Sequence, residues 1–376
     1  MPRTPESYED VDLDDAPPLQ PVHYAEQALL GALLLDPHRL ETITTLEPGH
    51  FGNPAHGALF AAMRTGPAPD PELHIKDPAW LNTVLDAARP EAPGLNASYL
   101  HTLIQVCPWP QHAATYARMI RADHARRMLR MHAESLAQTA ADATLPNPAV
   151  AVIAQVDTLT RYLEDLAGQF APHPGSLPRT PLLPPPPRDT DEEALDEERL
   201  LLASATAHPN ELKTMRWLEA DDFALPLHGQ LFLCLTSLAH RGDPVDAITV
   251  LWEAQHRGLL TTDVAPADLM ALVSTPVGSP EHWGERILHR ALLRQAHAVA
   301  GRIETFTDDP ANTPHQLITG SRRALADLTA LRARWQRTAP QPPSTARPRA
   351  PRTPVSSRAG PLPRAAAPAT AARATR

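Results

Sequence analysis

The sequence predicts an all-α fold of two tandem helical-bundle domains, each a small multi-helix head followed by a long helical hairpin, with disordered termini. Three observations predict it. Sliding the chain on itself by 172 residues superimposes Glu26–Phe60 on Glu198–Phe232 without a gap, and more than a third of these 35 positions are identical. Apolar residues recur at helical spacing through both copies, and strand alternation is nowhere sustained. A late offset of 165 aligns a second stripe, placing Ile153, Val156, Thr160, Leu163 and Phe170 on Ile318, Ser321, Leu325, Leu328 and Trp335. Spacings of three and four put each set on one helix face, as in a helix that lies against a partner.

The elements follow in order. Residues 1–20 are acidic and proline-bearing, a composition that predicts disorder. The first copy occupies 21–170, with helices expected over about 23–35, 37–46, 54–64, 78–89, 97–106, 110–141 and 148–169. A proline-rich linker, 171–190, contains the Pro184–Pro187 run and reads as a semi-rigid spacer. The second copy occupies 191–337, with Asp246 placed to cap a helix carrying Ile248, Val250, Leu251 and Ala254. From 338 to 376 the chain is Pro/Arg/Ala-rich, with seven arginines and no acid, and is expected to be disordered.

The shared positions show what the fold requires. Leu29 with Leu201, Leu46 with Leu218 and Leu59 with Leu231 are core positions, while Pro37 with Pro209 and Pro54 with Pro226 fall where helices start. Proline costs no hydrogen bond in a first turn. Phe51 and Phe223, each three residues before such a proline, are expected to staple helices together, and Phe60 and Phe232 close the motif. His56 and His228 recur within it. With no carboxylate or nucleophile seen to recur beside them, they are assigned a structural role at a backbone carbonyl or helix end.

Composition narrows the function. The net charge is −9, the only lysines among 34 basic residues are Lys76 and Lys213, and proline is abundant at 43 residues. Cys107 and Cys234 do not correspond between copies, so they form neither a disulfide framework nor a metal site. His282, His289 and His297 are spaced too widely for a helical zinc motif and read as solvated. No metal and no cofactor is expected. The N-terminus is too acidic for a secretory leader, and no apolar run approaches the roughly 20 residues that span a bilayer. A cytoplasmic protein is expected.

The quoted motifs resemble the N-terminal domain of DnaB-type replicative DNA helicases. They include AEQALLGALLLDP (25–37), LEPGHF and LEADDF, the P-x-H-G-x-L-F of both copies, and GDPVDAITV (242–250). YARMIRADHARR (116–127) and WGERILHRALLR (283–294) add the first hairpin helix. The resemblance implies a domain that pairs through its hairpins, builds the collar of a hexameric ring and meets primase and loading factors. The family's ATPase requires a glycine-rich loop ending in Gly-Lys-Ser/Thr, and neither Lys76, after Ile75, nor Lys213, after Leu212, sits in one.

The expectation is therefore a non-catalytic replication accessory or scaffold protein with no catalytic residues. It would bind a replicative helicase, a primase or itself, as a dimer or a pseudo-hexameric collar, and its two tethered copies could pair within one chain and mimic a dimer. The expected interaction residues are Ile153, Val156, Leu163, Phe170, Ile318, Leu325, Leu328 and Trp335. The alternative is non-specific nucleic-acid binding through Arg286, Arg290 and Arg294 of one hairpin helix and Arg347, Arg349 and Arg352 of the tail, though a salt-bridged face is the simpler reading of the hairpin arginines. Arg118, Arg121, Arg126, Arg127 and Arg130 surround the matching helix without forming one surface.

Overall fold

A computed structural model describes residues 20–173, 175–181, 191–261, 264–273 and 278–338. The acidic N-terminus up to residue 19, the Pro184–Pro187 run and the tail from residue 339 lie outside them. No strand occurs among the described residues. None of their helices is long and apolar enough to cross a membrane.

In the first copy, α1 (Pro21–Leu35) starts on a proline and is buried from Ala25 to Leu34 except at Gln27. A helix apolar on nearly every side must sit at the centre of its head. Two 3-10 turns follow, Pro37–Thr42 and Pro48–His50, where a helix over 37–46 was expected. The pairing there is short: Ile43 N–H bonds back only to Leu40 O. Asn53 caps α2 (Pro54–Thr65), accepting from Ala55 N at 2.9 Å. A short helix that the periodicity missed, α3 (Pro71–Lys76), is capped by Asp70, whose carboxylate accepts from Glu72 N and Leu73 N. Next come α4 (Ala79–Ala88), α5 (Ala97–Val106), and the hairpin of α6 (Ala113–Ala141) and α7 (Pro148–Gln169).

The second copy repeats the plan. α8 (Glu192–Ala207) matches α1, 3-10 turns at Glu211–Lys213 and Ala220–Asp222 match the first pair, and α9 (Pro226–Arg241) matches α2. Gly242, at φ 78°, ends α9 in the left-handed conformation that glycine adopts at little cost. Asp246 caps α10 (Ala247–His256) as expected, accepting from Ile248 N at 2.8 Å and Thr249 N at 2.9 Å. α11 (Pro266–Leu272) then leads to the hairpin of α12 (Pro280–Asp308) and α13 (Pro314–Thr338).

Phe51 and Phe60 pack with ring centroids 5.2 Å apart, and Phe223 and Phe232 repeat this at 5.3 Å. The expected staple is thus an aromatic pair, used twice. Gly57 and Gly229 recur for a steric reason. Each faces a backbone oxygen of the preceding 3-10 turn, and a Cβ at Gly57 would stand 2.7 Å from Pro48 O.

The core does not divide where the repeat divides. One cluster fills the first head, with Leu29, Leu33, Leu46 and Phe60. The other joins Leu129 and Leu136 of α6, Val152 and Leu163 of α7, Leu292 and Val299 of α12, and Ile318 and Leu328 of α13. It runs on into the second head through Phe223 and Phe232. The two hairpins therefore form one four-helix bundle, in which α12 packs along both α6 and α13. The boundary expected at 170–191 separates the heads but crosses a continuous core.

Gly31 lies where α5 crosses α1, and a Cβ there would collide with Leu103 O. Gly31→Ala is expected to cost about 1–3 kcal/mol through displacement of α5, seen as a lower urea midpoint. Gly301→Ala, which meets nothing within 4 Å, should leave that midpoint unchanged or raise it, since alanine is the better helix former.

Candidate functional site

The repeat places one polar arrangement in both heads. Glu26, on the central helix, is 1% exposed. Its Oε1 accepts from Gly52 N at 2.5 Å and its Oε2 from Asn53 N at 3.4 Å, while His56 Nδ1 lies 2.7 Å from Oε2. Glu198 does the same in the second head, accepting from Ala224 N and from Leu225 N at 3.3 Å, with His228 Nδ1 at 2.8 Å. The expectation that no carboxylate recurs beside these histidines is corrected here. The acid stands 30 residues upstream in each copy and meets the histidine only after folding. Each carboxylate ties the central helix to the backbone that opens the next one, which satisfies N–H groups that burial would otherwise strand.

A carboxylate that orients an imidazole is also half of many catalytic sites. No serine, threonine or cysteine side chain bonds to either histidine among the described residues. In the first head His56 Nε2 instead meets the Tyr99 hydroxyl at 2.6 Å. His23, Glu26 and His56 bring donor atoms within 4.8 Å of one another, a geometry that could hold a cation. Both nitrogens of His56 are already engaged, however, and residue 195, the counterpart of His23, is a leucine.

The expected interaction stripe lies inside the molecule. Val156, Leu163, Phe170, Ile318, Leu325 and Leu328 are buried in the shared cluster, and Ile153 and Trp335 are half-buried against it. The stripe joins the two copies of one chain, the within-chain alternative of the expected pairing, and is not a face offered to a second molecule. The sequence shows the periodicity but not which hairpin answers it.

The hairpin arginines are engaged as well. Arg286 and Arg290 both pair with Glu197, which is buried on α8, and Arg290 Nε lies 2.7 Å from its carboxylate. Glu193, one turn away, joins both arginines at 3.3 Å. Arg294 donates to Asp222 O at 2.9 Å, as Arg127 donates to His50 O at 2.8 Å in the other copy. These contacts correct the nucleic-acid reading of Arg286, Arg290 and Arg294. Arg347, Arg349 and Arg352 lie outside the described residues.

Arg126, which the sequence showed only as one of five arginines spread around its helix, holds the copies together. Its guanidinium crosses from α6 to the α12–α13 turn and donates to Thr307 O at 2.8 Å, Asp309 O at 2.7 Å, Pro310 O at 3.3 Å and Asn312 O at 2.5 Å. The described part of the linker docks on the same turn. Arg179 N donates to Asn312 Oδ1 at 3.1 Å, and the Thr180 hydroxyl donates to Asp309 Oδ2 at 2.6 Å. Pro178 lies so close to Gly320 that a Cβ there would collide with it. This stretch is bonded to the second copy, where a semi-rigid spacer was expected.

Two outcomes are expected. Glu26→Ala, which strands two backbone N–H groups and His56, should cost about 3 kcal/mol or more, measured by chemical denaturation. Arg126→Met keeps the stem but removes every donor, and should cost about 2–3 kcal/mol. Hydrogen exchange would then show the amides of the 307–312 turn opening first.

A family model described as the DnaB-like helicase N terminal domain matches residues 19–122 and again 190–285, just over half of the chain. Each match spans one head and the start of its hairpin. No curated protein and no solved structure gives a significant match. The chain belongs to the DnaB-like helicase N-terminal domain family and carries that domain in two tandem copies.

Proposed function

We propose that this chain is a non-catalytic replication accessory protein whose tandem DnaB-like domains dock onto a replicative helicase or a primase. One observation carries the reading: the hairpin seam is filled within the chain, which leaves the outer faces of the heads for partners. On α10 of the second head, Ile248 and Trp252 are 65% and 59% exposed and sit four residues apart on one face. Large apolar side chains adjacent on a helix surface are the usual core of a docking patch.

The non-catalytic part rests on two features. The 376 residues contain no glycine-rich phosphate loop, and the buried Glu–His pairs are committed to backbone. With hairpins already paired, three such chains would supply six domains, the number in a helicase collar implied by the resemblance.

Size-exclusion chromatography with light scattering tests this, using the purified chain mixed with the helicase or the primase of the same cell. Co-elution with one of them is expected, reduced about tenfold or more in affinity by Ile248→Glu with Trp252→Glu. The chain alone should release no phosphate from ATP. Separate elution from both partners, or robust ATP turnover by the pure chain, would overturn the proposal.

A further inference from the structure

The two heads differ in what lies above the repeated histidine. In the first head the space beside His56 Nε2 is filled by the chain itself. Tyr99, third residue of α5, places its ring nearly parallel to the imidazole with centroids 6.1 Å apart, and their polar atoms are 2.6 Å apart. Gly31 permits this by letting α5 close onto α1.

Both devices are changed in the second head. The residue matching Gly31 is Ala203, whose methyl group occupies the space that the close crossing needs. The third residue of α11, matching Tyr99, is Asp268, which is exposed. α11 accordingly makes a much sparser contact with α8 than α5 makes with α1. A cavity of about 590 Å³ opens there, lined by Ala203, Leu227, Leu272 and His228, with Arg199 and Asp268 as its charged members.

His228 is 2% exposed, and among the described residues its Nε2 has no hydrogen-bond partner. The Glu198 carboxylate holds Nδ1, which leaves Nε2 as the ring's open polar atom, facing the cavity. The group this cavity lacks is thus a hydroxyl on an apolar ring, which can donate to or accept from Nε2.

We propose that the cavity receives a tyrosine side chain from a partner polypeptide, whose hydroxyl bonds His228 Nε2 as that of Tyr99 bonds His56 Nε2. The first head supplies the occupant's chemistry. The cavity is far larger than one phenol ring and open on one side, with an exposed acid and an exposed base beside it. That shape fits a ring carried on a peptide rather than a free phenol. The inference rests on the difference between the heads and not on the partner proposed above.

Titration of the full chain by NMR and calorimetry with acetyl-Gly-Tyr-Gly-amide, its Phe counterpart and p-cresol tests it. Saturable binding of the Tyr peptide is expected, with the Phe peptide weaker by about tenfold, the value of one hydrogen bond. Asp268→Tyr, which supplies the ring from within, should abolish binding and raise the melting temperature. No saturation by the Tyr peptide, equal binding of the Phe peptide, or unchanged binding to Asp268→Tyr would overturn the proposal. Tighter binding of p-cresol than of the peptide would overturn the polypeptide as its source.

Discussion

The apolar seam between the two hairpins is the constraint on which the rest depends. A lone hairpin of this sequence would leave a stripe of Leu, Ile and Val in water, because its own two helices cover only part of it. α12 is buried along almost its whole length because it faces α6 and α13 together. Arg126 and the strap at 178–180 act around that seam. Each fixes the direction and register of a contact whose strength is apolar and non-directional.

The heads are built on a different principle. Their centres are apolar, but what sets the angle between the first two helices of each is a buried carboxylate on backbone N–H groups, with a histidine locking its other oxygen. Burying a carboxylate is favourable only when its oxygens are met, and this explains why glutamate and histidine recur together. The duplication kept this latch and let the surroundings drift. Where the first head has Gly31 and Tyr99, the second has Ala203 and Asp268, and there the latch stands without that cover.

Much of this was legible in the sequence. Pro148–Gln169 and Ala97–Val106 are helices to the residue, because proline and capping asparagine mark their starts and apolar spacing is unbroken. The α3 helix escaped because six residues are too few to show a period, although Asp70 followed by Pro71 is itself a start signal. The Glu26–His56 pair escaped because its members are 30 residues apart, but both shift by 172 in the second copy, and reading the identical positions for polar partners would have found it. The arginines on α12 read as a salt-bridged face or a nucleic-acid contact, and charge pattern alone did not name the partner. Glu193 and Glu197 have the same spacing on α8 as Arg286 and Arg290 on α12, and that match was the available signal.

Joining the two hairpins in one chain has a further consequence. Separate subunits pair to an extent set by their abundance, and dilution separates them. Here the second hairpin is always present at the high local concentration that the connecting chain imposes, so pairing is complete at any level of expression. Nor is the pair bound by two-fold symmetry. A homodimer must place two identical clamps across its seam, whereas this chain has Arg126 on one side and Leu293 at the matching position on the other. Each head can therefore specialise without altering its twin, and anything that assembles from these chains gains its domains two at a time.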